Sequence, residues 1–477
     1  MVWVLVLLPL AFAGLALAVP SNRVRPWLLP TAAVLHTAGV AVVVARPELG
    51  VTSPWLTLDP VGRLVLISVS GLFLLCAFYT VGYLLYRQER SNRVFCACLL
   101  AFLGTMTLVT FSQHLGLFWV AMEATSLSVA PLIYFNRTPR SLEATWKYLL
   151  IGSIGIALAL LGSFFLAYAS LSVHQASVLT FPALVHYAGD FSKPWLRVAC
   201  VLLLVGYGTK MGLAPMHTWK PDAYGEAPGV AGAIFAGGIT SCAFLALLRV
   251  DHIARAAGEG AYFERLLVFI GLLSMAVAGG FMVGQRDFKR TLAYSSVEHM
   301  GILALGLGLG PVALFATLLH LVNNAAAKGL LFLSAGNIHR SFGGKNIDTV
   351  RGALRRLPLS GALFFAGFLA VTASPPFGPF ISEFGILNAA FTSGRYLSGA
   401  LFLAFLLIVF IGMGATVLAV VQGEPGPEAE ATDYRDGWLT GLPPLLFLAV
   451  VLVLGVALPS QLVGMIQDAV HFLEVPR

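Results

Sequence analysis

From Val2 to Leu458 the chain is a near-unbroken series of apolar stretches, most of them close to the ~20 residues that an α-helix needs to cross a bilayer. That repetition leaves few choices. Hydrocarbon offers no partner to a backbone N–H or C=O, so each stretch must pair its own polar backbone groups, as a helix does. We read roughly fourteen spans on that criterion, beginning near Val2, Leu28, Gly62, Val94, Leu115, Tyr148, Leu196, Gly229, Leu266, Leu292, Val312, Leu359, Leu397 and Leu439. The expected fold class is an all-α polytopic membrane protein.

Only 11% of the residues are charged, against roughly a quarter in soluble domains, which excludes a soluble enzyme. The net charge of +7 is spread singly or in small groups between apolar stretches, which suits lipid head groups and topology signals and not nucleic acid. Of the 29 Lys and Arg residues, eighteen fall in odd-numbered connections, Lys220 among them, and nine in even-numbered ones and the C-terminal tail, Arg249 and Arg477 among them. This bias places the odd connections in the cytoplasm and both termini outside. The longest polar connections are Ser172 to Pro194, His339 to Pro358 and Gln422 to Asp436, the last with a turn at Glu424-Pro425-Gly426-Pro427. The first span ends in Ala16-Leu17-Ala18, like a signal-peptidase site, but it lacks a basic n-region and is read as a retained helix. The five cysteines show no C-x-x-C pair, and no GxGxxG follows a strand. No disulfide, metal or cofactor site is therefore expected in this chain.

The two remaining cations, Lys210 and Lys328, lie inside spans, as do Glu123, Glu298 and Glu383, with His299 and His320 as titratable neighbours. A charge at the bilayer centre costs at least ~2.5–3.5 kcal/mol on insertion scales, so five such groups require a compensating role. An internal repeat supplies one. Glu123 precedes Lys210 by 87 residues and Glu298 precedes Glu383 by 85, and each later residue stands beside a helix breaker, KMGLAP in one half and PPFGP in the other. Discontinuous spans at matching places in two halves mark an internally duplicated transporter. Five spans per half is an odd number, so the repeats insert in opposite senses. The boundaries drawn are 1–93 for an N-terminal three-helix segment, 94–250 and 251–422 for the two repeats, and 423–477 for the acidic loop and last helix.

His320, Asn324 and Lys328 recur every four residues and share one helix stripe, as a proton bridge or as a hydrogen-bonded packing seam. Glu298 and His299 stand early in their span, facing either the relay or the cytoplasmic interface. Lys147 reads as an interfacial anchor and His114 as structural. The segment His217, Lys220, Asp222, Glu226 lacks dense ligand spacing and reads as a proton-access surface or a loop lock.

The segments FWVAMEATS around Glu123, KMGLAPMHTWKPDAYGEAP from Lys210, DFKRTLAYSSVEHMG from Asp287, KGLLFLSAGNI from Lys328 and SPPFGPFISEFGIL around Glu383 resemble, in order, the hallmarks of the antiporter-like proton-translocating subunits. That family includes the large membrane subunits of NADH-quinone oxidoreductase, Mrp-type cation/proton antiporter subunits, and membrane subunits of energy-converting hydrogenases. AYSSVEHMG is most similar to the branch formed by the F component of hydrogenase-4. The resemblance implies fourteen helices with two inverted five-helix repeats, and a relay through Glu123, Lys210, Lys328 and Glu383 with His320, Glu298 and His299 as further members. It also implies a bacterial or archaeal cell-membrane location. Implied partners are other membrane subunits and a peripheral electron-transfer module, which alone would hold Fe–S clusters and Ni–Fe or flavin; the carried ion is H⁺ or Na⁺. Two positions depart from the pattern, Ser241 where several members have a lysine and Asn324 where a histidine is usual. The competing functions are a Na⁺/H⁺ antiporter subunit, a non-transporting scaffold and a partner in inorganic-carbon uptake.

Overall fold

The computed structural model describes residues 1–171, 179–424 and 432–474. Among these, ten helices are long and apolar enough to cross a membrane, and Val2–Ala18 and Pro358–Val371 are shorter apolar helices. The protein is a multi-pass helical membrane protein. The only strands among the described residues form a small antiparallel hairpin, Val51–Ser53 with Leu56–Thr57. The expected turn through Pro425-Gly426-Pro427, part of the Ser172 to Pro194 connection and Arg477 lie outside the described residues.

Helices begin within six residues of the expected starts, with one exception. The span placed at Tyr148 starts at Pro139, because Thr138 and Ser141 form a reciprocal capping box and Pro139 supplies the fixed φ of a first helical residue. Capping outranks apolarity there. Both broken spans are real breaks: Lys193–Met211 is followed by Trp219–Glu226, and Pro358–Val371 by Gly378–Thr392. The helices Lys193–Met211 and Phe288–Gly308, which carry Lys210 and Glu298, are not among the ten apolar ones.

The core lies around two spans. The most apolar window of Gly229–Ala256 is 100% buried and that of Pro311–Phe342 is 89% buried, whereas only 39% of the Tyr396–Val421 window is. Outer helices turn apolar side chains such as Phe164, Leu397 and Leu407 outward, where lipid would solvate them.

Four residues counted as connection charges prove to be buried: Arg25, Lys220 and Lys289 of the odd set and Arg249 of the even set. Each is held by buried acceptors, as when Arg249 donates from Nε and Nη2 to Asp59 Oδ2 at 3.0 and 2.8 Å. Removing them leaves the sign of the bias unchanged.

Candidate functional site

Glu123 lies midway along the helix Leu115–Ile133, and Lys210 is the penultimate residue of Lys193–Met211. Gly212, at φ 77°, ends the second helix in the left-handed conformation that glycine adopts without strain. The Lys210 ammonium donates to Glu123 Oε2 at 3.2 Å and also to Ser126 Oγ, one turn beyond the glutamate. Its third neighbour is the Tyr148 ring, whose centroid is 5.9 Å away. A β-carbon at Gly152 would lie 3.1 Å from Nζ, so a glycine leaves room for the ammonium.

The second half holds a longer chain of polar groups. Lys328, fully buried, donates to Ser295 Oγ at 2.6 Å, and Glu298 follows Ser295 by one turn of Phe288–Gly308. Of the two placements open to Glu298 and His299, the structure has the interior one, since both are buried. His299 Nδ1 lies 3.0 Å from His320 Nε2, and His320 Nδ1 lies 3.0 Å from Ser382 Oγ, beside Glu383. The carboxylates of Glu298 and Glu383 have no hydrogen-bond partner among the described residues.

Direction in this wire follows from its far end. His299 Nε2 is 3.1 Å from the carbonyl of Val371, the last residue of the first half of the broken span. A carbonyl only accepts, so Nε2 carries the hydrogen; neutral His299 then accepts at Nδ1 from His320 Nε2–H, and His320 accepts at Nδ1 when the Ser382 hydroxyl turns to it from Pro379 O, 3.0 Å away. Passing one proton along the chain reverses the two bonds that join His299, His320 and Ser382, while the bond to the Val371 carbonyl keeps its direction. The imidazole nitrogens of His299 and His320 and a Glu383 oxygen lie within 4.8 Å of one another, as metal ligands could. All four ring nitrogens also have hydrogen-bond neighbours, so the same cluster has the geometry to pass a proton.

The His320–Asn324–Lys328 stripe exists on Pro311–Phe342, yet its members face different elements: His320 the broken span, Lys328 the Glu298 helix, and Asn324 the Ala236 carbonyl at 3.3 Å. Ala236 belongs to a π-helical turn, Phe235–Ile239, in the most buried span. Such turns widen the helix and redirect its carbonyls. Ser241 is spent locally, donating to Gly237 O at 2.7 Å.

Sequence reasoning names Lys220 within a proton-access surface or loop lock but places it wrongly. It assigns the residue to a cytoplasmic connection, but the half-helix Trp219–Glu226 holds it fully buried, donating to Met211 O at 2.6 Å and Ser296 O at 3.2 Å. The break at Gly212 is the available signal, since residues following an intramembrane break are still inside the membrane. His217 is buried near the Phe281 and Tyr294 rings, and the two acids of the segment form a loop lock: Asp222 bonds Lys147 at 2.8 Å and also Arg290, while Glu226 bonds Lys345 at 2.6 Å. The groups of the lock line a polar basin of about 390 Å³.

Residues 112–411 match the family model described as NADH:quinone oxidoreductase/Mrp antiporter, TM. The hydrogenase-4 component F homolog of Methylacidiphilum infernorum is 30% identical over 468 residues, covering 96% of both chains. NADH-quinone oxidoreductase subunit N of Desulforudis audaxviator is 31% identical over 390 residues, covering 79% of this chain and 75% of its own. A chain of the Mrp complex from Dietzia sp. DQ12-45-1b superposes with a TM-score of 0.86 at 21% identity, over 100% of this chain and 97% of that one; at this identity the likeness speaks for the fold.

Proposed function

Because the chain belongs to the NADH:quinone oxidoreductase/Mrp antiporter family of membrane subunits, we propose that it is a proton-translocating subunit of a multi-subunit oxidoreductase of the hydrogenase-4 or NADH-quinone oxidoreductase type. Redox chemistry would take place on Fe–S, Ni–Fe or flavin groups of a peripheral module, and this chain would carry only the ion. Repeats 94–250 and 251–422 would each supply one half-channel in a prokaryotic cell membrane, with both termini outside.

One observation carries the reading: each half brings together a broken helix, a buried lysine and a glutamate, Lys210 with the half-buried Glu123 in the first and Lys328 with the buried Glu298 and Glu383 in the second. The Glu123–Lys210 pair favours the charged lysine. Moving the glutamate away removes that support, and the enclosed ammonium then releases its proton. Two unit charges ~4 Å apart at an effective dielectric near 20 interact by about 4 kcal/mol, whereas moving one charge across 100 mV costs ~2.3 kcal/mol. Switching one such pair is enough to drive one proton against the membrane potential.

The purified complex in proteoliposomes tests this. Electron transfer should acidify one side in the wild type, and Glu123→Gln or Lys210→Ala should abolish that acidification while leaving assembly intact. Unchanged pumping in both variants would reduce the chain to a scaffold. The Mrp antiporter named in the family description favours a second reading, a cation/proton antiporter subunit. Proton flux that depends on Na⁺ would select it; flux indifferent to Na⁺ would select the first.

A further inference from the structure

Lys220 sits where the two halves meet. Its ammonium touches the Met211 carbonyl of the first half and the Ser296 carbonyl of the second, at 2.6 and 3.2 Å. Each contact is one residue away from a lysine site already described. Met211 follows Lys210, and Ser296 follows Ser295, the hydroxyl that receives Lys328. The aromatic rings run the same way: Tyr148, beneath Lys210, meets Trp219 at 5.1 Å, and Trp219 meets Tyr224, which lies 5.6 Å from the Lys220 ammonium.

The chemistry of its partners sets Lys220 apart from Lys210. No carboxylate forms an ion pair with it among the described residues. Two carbonyls receive its N–H groups, and a neutral amine, with two N–H donors and a lone pair, satisfies both. The protonated form satisfies the same two and keeps one N–H in hand. The site therefore accommodates either protonation state without rebuilding its hydrogen bonds. Met211 also ends its half-helix, where the backbone dipole offers partial negative charge to the ammonium.

The second half repeats the device. Val371 ends the other half-helix, and its free carbonyl holds His299, the protonatable start of the histidine wire. In each half, then, the last carbonyl before the break holds a group able to gain and lose a proton. Gly212 keeps the place open in the first half, since a β-carbon there would come within 2.6 Å of Lys220 Cδ.

We propose that Lys220 is the proton-carrying link between the two half-channels, taking a proton from the Lys210 side and releasing it toward Glu298 and Lys328. Each transfer is balanced: the lone pair of the neutral amine takes up one proton through water or a neighbouring donor, and the resulting ammonium gives one up on the other side. The proposal rests on the proton-pumping reading above.

The discriminating variants are Lys220→Arg and Lys220→Gln, measured in the assembled complex. Arginine keeps the charge and the donors but does not deprotonate, and glutamine keeps two N–H donors but carries no proton. Both should assemble and lose at least tenfold of redox-driven proton flux. Flux within twofold of wild type in either variant would overturn the assignment, and failure of both to assemble would make Lys220 a structural helix cap and overturn it equally. Glu123→Gln in the same preparation separates the two claims. Pumping lost in Glu123→Gln but kept in Lys220→Arg sinks only the link, whereas pumping kept in both sinks the parent reading as well.

Discussion

The Lys210 ammonium and the Glu123 carboxylate are 3.2 Å apart, yet the lysine side chain is 1% exposed and the glutamate 23%. The two partners are therefore not equivalent on removal. Glu123→Gln strands an enclosed cation, while Lys210→Met leaves a carboxylate that is already partly open. Breaking a buried pair from one side typically costs 3–5 kcal/mol, and the partial exposure here discounts that figure. Thermal unfolding of the purified complex should rank wild type above Lys210→Met and Lys210→Met above Glu123→Gln. The double variant should regain the stability lost in Glu123→Gln without regaining transport. An equal loss in the two single variants would contradict the asymmetry.

The histidine wire makes a prediction about coupling. His299, His320 and Ser382 form one series, so removing either imidazole interrupts the whole. His299→Ala and His320→Ala should each lower proton flux by about tenfold or more, and the double variant should be no worse than the more severe single one. Groups acting as a unit are non-additive in this manner. Additive losses would place the two histidines on separate routes.

Away from the relay, Arg249 anchors the buried span Gly229–Ala256. Its guanidinium binds Asp59, donates to Ser112 O at 2.7 Å, and lies 5.4 and 4.9 Å from the ring centroids of Phe118 and Phe181. A planar fork satisfies all of these together, which a lysine ammonium does not. Arg249→Ala should destabilise the chain by about 3–5 kcal/mol, as for one side of a buried pair, and Arg249→Lys should recover little of it. Chemical denaturation or accumulation in the membrane would report the loss. Full recovery by lysine would show that charge alone is needed there.

These residues also show what was legible in the sequence. Apolar length located the helices, because in a membrane that pattern and the backbone's own hydrogen bonding demand the same thing. Glu123, Lys210, Lys328 and Glu383 stood out for the same reason, as charges where charge is costly. Arg249 did not, and Lys220 stood out only as part of a loop segment, because both sit in polar surroundings close to span ends, and only the folded chain distinguishes a buried lysine from one in a loop. The His299–His320–Ser382 series was illegible in a different way. It joins two consecutive helices, Phe288–Gly308 and Pro311–Phe342, to the half-helix Gly378–Thr392 some sixty residues on, and neither a helix stripe nor a spacing rule contains it.

A further consequence concerns the packing that holds Lys210 in place. Gly206 precedes Lys210 by four residues on the same helix face, and a β-carbon added there would lie 2.5 Å from Ala159 N and 2.7 Å from Gly155 O. Both are backbone atoms of the neighbouring helix Pro139–Ser170, so no side-chain rotation relieves the clash. The helices must separate, and the turn carrying Lys210 moves with them. Gly206→Ala should cost about 1–3 kcal/mol, as overpacking does, and should lower proton flux although no ionisable group has changed. Gly71, inside Pro60–Leu85, has open space where its β-carbon would go. Gly71→Ala should therefore be neutral or should stabilise by about 0.5–1 kcal/mol through the better helix propensity of alanine. Thermal unfolding and flux measured on the two variants side by side isolate helix contact from helix propensity. Equal behaviour of the two would mean that close approach of these helices does not position the lysine.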